Sequence, residues 1–202
     1  MVLMLEFGDL GYSTIYHKDQ DIRLTPITKA HLDDLSRWPK FKTFDMQWAN
    51  FFPSNIVQKN RWFRENTQGN RLWFVGERTK DNWRTAEVIC RVSLIIPIHG
   101  NDFIFGIVIH PELLERGLGT KFTEMILRGV LETTDAEGVW LETHHTNKRA
   151  QHVYEKVGFE KLGYSYHKGF TSDHDMFLNY HIPRSVMEEK AGVVIVLGEA
   201  KV

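Results

Sequence analysis

The sequence predicts one α/β (α+β) domain on a mixed, mostly antiparallel sheet of about six to seven strands flanked by about four helices. Three observations predict it. Alternating strand-like runs follow one another directly from Arg71 to Ile109, which favours antiparallel neighbours. Two later segments instead carry apolar residues at helical spacing and bracket a single short strand, so the sheet acquires a crossover connection there. A chain of 202 residues can bury one sizeable core and demands no second domain, so residues 1–202 are read as one unit with its core at about 20–182 and an extension at each end.

Ile22 to Ile27 alternates and reads as a strand, with Thr28 as cap for a short helix over His31 to Trp38 that Pro39 stops. Residues 38–63 are dense in aromatics, among them Trp38, Phe41, Trp48, Phe51, Trp62 and Phe63. Ser54 or Asn55 can cap a helix there that runs to about Asn66. The segment is either ordinary core or a lid. Arg71–Glu77, Ala86–Ile98 and Asp102–Ile109 read as an antiparallel meander with turns at Asp81-Asn82 and His99-Gly100.

Leu118, Phe122, Met125, Ile126, Val130 and Leu131 then mark an amphipathic helix within Gly117–Asp135. Val139–Thr143 is a strand and Lys148–Val157 a helix, which Gly158 ends in a left-handed conformation while Phe159 packs back on its last turn. Glu160–Ile182 holds two alternating runs around Gly169-Phe170, a final strand pair. Beyond Pro183 come a short helical patch and the apolar Val193–Leu197, an edge strand or a homodimer contact.

Apolar residues at 42% and charged residues at 25% are those of an ordinary globular chain, and a formal charge of −1 argues against nucleic acid or membrane as the main partner. The single cysteine, Cys90, excludes an internal disulfide and fits a cytoplasmic protein. Met1–Gly11 lacks the pattern of a targeting segment, and no run is long enough to span a bilayer. His144 and His145 would face opposite ways on a strand, so no metal site is expected.

Two motifs carry chemistry. The first is Pro111 followed by Glu115-Arg116-Gly117-Leu118-Gly119-Thr120 at a helix start. Glycines there let successive N–H groups approach a ligand, and the helix N-terminus adds partial positive charge, a combination that suits phosphate oxygens. A nucleotide P-loop ending and a third dinucleotide-site glycine are both missing. The second motif is Asn147-x-x-Ala150-x-x-x-Tyr154-x-x-x-Gly158-Phe159.

Together these motifs resemble the GNAT superfamily of N-acetyltransferases over Phe103–Gly163, and the second matches that pattern at every position. Leu114 stands where the superfamily has Arg or Gln, which leaves Arg116 and Lys121 as the nearby cations. The run Val139–Asn147 further resembles the ribosomal-protein N-terminal acetyltransferase group, in which a glutamate five residues before the helix asparagine accepts a proton. Glu142 occupies that position.

The resemblance implies acetyl-CoA as co-substrate, bound by Glu115, Arg116, Gly117, Leu118, Gly119 and Thr120, with Asn147 along the pantetheine beside the small Ala150. It implies an oxyanion site from backbone amides of Ile107, Val108 and Ile109 on a strand splayed by a bulge, and Tyr154 as the acid that protonates the leaving thiolate. Glu142 would be the base, because an ammonium has no lone pair with which to attack a thioester. A strand glutamate can equally be a plain surface residue, and a helix tyrosine a packed one. Cys90, in an apolar strand pattern, is no nucleophile.

The acceptor implied is an amine of a protein or peptide. A polyamine or aminoglycoside, or a module that binds acyl-CoA without turnover, is the alternative. Asp33, Asp34, Asp45 and Glu65 could attract a cationic acceptor, and His110 could border the cofactor entrance.

Overall fold

The structure is a computed structural model that describes residues 14–17, 21–79, 86–96, 100–167, 175–190 and 196–198. Its strands are β1 (Thr14–Tyr16), β2 (Ile22–Pro26), β3 (Arg71–Arg78), β4 (Glu87–Ile95), β5 (Asp102–Ile109), β6 (Gly138–His144), β7 (Glu160–His167), β8 (Asp175–Pro183) and β9 (Val196–Gly198). They form one sheet in the order β7-β8-β6-β5-β4-β3-β2-β1-β9. Only the β5–β6 pair is parallel. The helices are α1 (His31–Arg37), α2 (Ile56–Asn66), α3 (Leu118–Thr133), α4 (Lys148–Val157) and α5 (Arg184–Lys190).

The sheet is larger than expected because β1 and β9, three residues each, pair with one another. Runs so short carry no readable period. The predicted meander β3-β4-β5 is present in sequential antiparallel register. Asn55 caps α2 by accepting from the Gln58 amide, whereas Thr28 caps nothing: α1 starts after a helical Ala30, and the Thr28 amide donates to His31 Nδ1. The turns at Asp81-Asn82 and Gly169-Phe170, the start Met1–Gly11 and the stretch 193–195 lie outside the described residues.

Two cores lie on the two sheet faces, as period two dictates for adjacent residues such as Phe74 and Val75. Under α3 the sheet meets Phe122, Met125, Ile126 and Val130, all fully buried. On the other face Leu32, Leu35 and Phe51 pack with Trp38, Trp62, Phe63 and Trp73, so most of the aromatic segment is core. A shorter patch joins Phe41, Met46 and Ala49 to Val108. Arg91 is buried there, donating to the Ala49 carbonyl at 2.9 Å, and burial pushes its guanidinium down to about 10. That bond fixes the 3-10 turn Phe44–Ala49 and hence Met46.

At Gly76 the ring of Phe122 from α3 packs directly on the β3 backbone. A Cβ at that position would stand 2.5 Å from Phe122 Cζ and 2.6 Å from the Cβ of Cys90, both fully buried. Gly76→Ala is expected to cost about 1–3 kcal/mol by overpacking, seen as a lower denaturation midpoint at unchanged slope. Cys90 is sealed in the same place, and burial pushes its thiol well up, so it is no nucleophile.

β5 and β6 pair only over Asp102–Ile104 and Gly138–Trp140, then separate. β5 continues along β4 to Ile109, and β6 along β8 to His144. The splay predicted for β5 is therefore present, but its register with β4 is unbroken, so no bulge in that pair produces it.

Candidate active site

The gap between β5 and β6 opens into a cleft of about 420 Å³. Its walls are the end of β5, the end of β6, the loop before α3 with that helix's first turn, one face of α4, and Met46. A volume of this size is typical of a small-molecule site. Glu142, Tyr154, Asn147, Ile107, Ile109, Glu115, Gly117, Leu118, Gly119 and Thr120 all border it, so the structure gathers most of the residues singled out from sequence.

Val108 and Arg116 do not border it. The Val108 side chain faces the Phe41–Met46 patch. Its amide is also committed: His110 N–H donates to Ile89 at 2.9 Å, and the two-residue period of the antiparallel ladder puts the amide of Val108 on the same β4 side. The amides of Ile107 and Ile109 point instead to the side from which β6 has departed, leaving two donors rather than three. Arg116 is exposed on the outside of its loop.

Glu115 and Gly117 both have positive φ, 65° and 75°, and Gly117 is the N-cap residue just before α3. Glu115 is the one non-glycine among the described residues with that conformation. A glutamate there is strained, and such strain persists where the surroundings demand a particular backbone direction. No side chain caps α3, so the amides of Leu118, Gly119 and Thr120 lack intrahelical acceptors at the cleft wall. Gly119 also lets α4 approach, since its Cβ would already touch Val153 at 3.4 Å.

Three residues at the cleft, two of them cationic, went unremarked in the sequence. Arg149, His152 and Lys156 border it from α4, and Arg149 reaches Glu115 at 3.5 Å. Their spacing of i, i+3 and i+7 is one helix face, which is the signal that could have found them. Leu114 is half-buried against the core and lines the cleft as an apolar group. Arg149→Ala and Lys156→Ala are each expected to raise KM for a phosphate-bearing co-substrate about two- to fivefold at low salt, with kcat little changed, since exposed charge contacts contribute about 0.2–1 kcal/mol. Initial rates at two ionic strengths check this.

Asn147 is buried, caps α4 through the Ala150 amide, and turns its Nδ2 toward Met46 Sδ at 3.4 Å. Tyr154 is buried between Phe159 and Tyr180, and its hydroxyl makes no hydrogen bond among the described residues. Burial, reinforced by nearby Tyr180, pushes its phenol well above the ordinary value, so it holds its proton at neutral pH. Gly158 at φ 113° ends the helix, and the Phe159 amide donates to the Tyr154 carbonyl, as the motif required.

Glu142 lines the cleft from β6, on the strand face it shares with Trp140. Its carboxylate accepts from Ser165 Oγ at 2.8 Å and pairs with His167 Nε2 at 2.9 Å. His144 and His145 do not point apart: β6 ends at His144, alternation ends with it, and the two rings lie 4.6 Å apart. Each nitrogen Nδ1 has a partner, Thr146 Oγ1 and the Met176 carbonyl respectively. Among the described residues no group of three or more His, Cys, Asp or Glu is placed to hold a metal ion. His110 is tied to the Glu112 amide and packs edge-on against Trp38, away from the cleft wall.

Of the carboxylates expected near an acceptor, Asp33 pairs with Lys59, Asp34 with Arg37 and Glu65 with Arg61. None lines the cleft, and the Asp45 side chain lies outside what is described. No helix among the described residues is long and apolar enough to cross a membrane.

The fold is shared with solved structures. The spermidine N-acetyltransferase of Vibrio cholerae in complex with CoA and spermine superposes with a TM-score of 0.70 at 18% identity, over 83% of this chain and 98% of that one. A chimera of that enzyme with hSSAT gives 0.67 at 19% identity, over 83% and 98%. No curated protein sequence matches the chain. A family model for the acetyltransferase (GNAT) domain matches residues 21–160, well over half the sequence, and the chain therefore belongs to that family.

Proposed function

We propose that this protein transfers the acetyl group of acetyl-CoA to a primary amine of a small polycation of the polyamine class, by direct attack on the thioester. The observation that carries the reading is that Glu142 and Tyr154 line one cleft together with the uncapped start of α3. The amides of Leu118, Gly119 and Thr120, with Arg149 and Lys156 facing them, suit the pyrophosphate of the co-substrate, and their charge stands in for the absent cation at Leu114. That removes the reason for reading the chain as a module without turnover.

Glu142 takes the proton of the acceptor ammonium. The resulting amine attacks the thioester carbonyl, and the amides of Ile107 and Ile109 stabilise the oxyanion. As the C–S bond breaks, the Tyr154 hydroxyl donates a hydrogen bond to the departing sulfur, which takes up the second proton that the nitrogen loses. The polyamine reading has the support of solved structures whose bound or named substrates are spermidine and spermine. The ribosomal-protein reading rests on the β6 segment alone. Thiol release measured over spermidine, spermine, an aminoglycoside and a set of N-terminal peptides separates them: polyamines should give the highest kcat/KM, and a peptide preference of tenfold or so would reverse the assignment.

A further inference from the structure

Acetylation of an ammonium discards protons unevenly. The nitrogen gives up two, the thiol gains one, and one must leave the site for every acyl group moved. The base that receives it is useful again only when it has been emptied. Glu142 is 43% exposed, yet the atoms nearest its carboxylate are protein rather than open solvent. Ser165 donates to Oε1 at 2.8 Å, and Oε2 faces His167 Nε2 at 2.9 Å. Ser165 and His167 are themselves 3.2 Å apart, and the Asn179 side-chain amide lies 3.1 Å from the Ser165 hydroxyl.

We infer that Glu142 is the inner half of a proton exit whose outer half is His167, with Ser165 holding the carboxylate in register for the transfer. The inference rests on the reading of Glu142 as the group that deprotonates the acceptor. The residues span three strands of one sheet face: Glu142 on β6, Asn179 opposite it on β8, and Ser165 and His167 on β7, the edge strand. A proton taken from the ammonium passes from Oε2 to Nε2 of the neutral ring in the tautomer whose hydrogen is on Nδ1. The imidazolium so formed is half exposed and loses a proton to water or buffer, which restores both the carboxylate and the neutral ring. No oxidant or further reactant is needed. The groups facing the ring are Glu142 from β6, Ser165 on its own strand, and Phe177 from β8, edge-on at 5.0 Å, with Asp175 in register beyond.

His167 does not line the cleft, so it acts through Glu142 and its signature is distinct from that of a merely structural contact. His167→Gln keeps a polar partner for the carboxylate but cannot carry a proton. With the best acceptor of the amine panel, kcat at neutral pH is expected to fall about tenfold, less than the 10²–10⁴ typical of a group acting directly, with both KM values within about twofold. Added imidazole should restore it. Unchanged kcat, or a fall that imidazole leaves in place, overturns the relay. Glu142→Gln measured alongside separates the two levels: full turnover there removes the base reading itself, whereas its loss beside an intact His167→Gln removes the relay only. Calorimetric binding of coenzyme A to both variants confirms that the site is folded.

Discussion

Glu142→Gln is expected to lower kcat by about 10²- to 10⁴-fold at neutral pH while leaving KM for acetyl-CoA nearly unchanged. Glutamine has almost the same shape and can keep the Ser165 contact, so what is lost is basicity. An aliphatic amine with a pKa near 10 is neutral in only about one molecule per thousand at pH 7, and without a base the enzyme must wait for that fraction. The sign with pH follows. Each unit of rising pH supplies about tenfold more neutral amine, so the variant should close on the parent enzyme toward pH 10. Thiol release from acetyl-CoA across that range checks this. A deficit that stays constant with pH would remove Glu142 from proton transfer, and its role would then be to attract the cation.

What the sequence revealed of this site follows from which contacts are local. The turn at Gly117 and the helix from Asn147 to Gly158 are specified by glycine conformation, capping and 3.6-residue spacing, and the structure places them where the motifs require. The orientation of Glu142 toward the cleft depends on where β6 leaves β5, a pairing of residues far apart in the chain that no local pattern records. The same holds for its partners Ser165 and His167, which reach it across β8. Arg149, His152 and Lys156 share one helix face by their spacing, but only the fold shows that this exposed face borders the cleft. The aromatic run 38–63 was legible as apolar and ambiguous as lid or core. Packing of Phe51 and Trp62 against the sheet makes it core, with Met46 alone among its described side chains on the cleft.

Tyr154→Phe is the second large effect, with a different pH signature. The phenol is buried, and its proton is held well above the ordinary tyrosine range by burial first and by Tyr180 second. It cannot serve as a base at neutral pH, because the phenolate is not populated. It can serve as a donor to a sulfur on which negative charge develops, although full transfer to a thiolate, whose acid has a pKa near 8.5, runs uphill. Its contribution is therefore a hydrogen bond that strengthens in the transition state, and removing one such donor costs on the order of 10²–10³ in kcat. Since the phenol keeps its proton throughout, the deficit of Tyr154→Phe should be the same from about pH 6 to about pH 9, while that of Glu142→Gln shrinks. Loss of the hydroxyl should not loosen the fold, since the hydroxyl has no hydrogen-bond partner among the described residues and the ring contacts with Phe159 and Tyr180 survive. Unchanged kcat, with the midpoint of denaturation also unchanged, would assign Tyr154 to packing and leave the thiolate to be protonated by water.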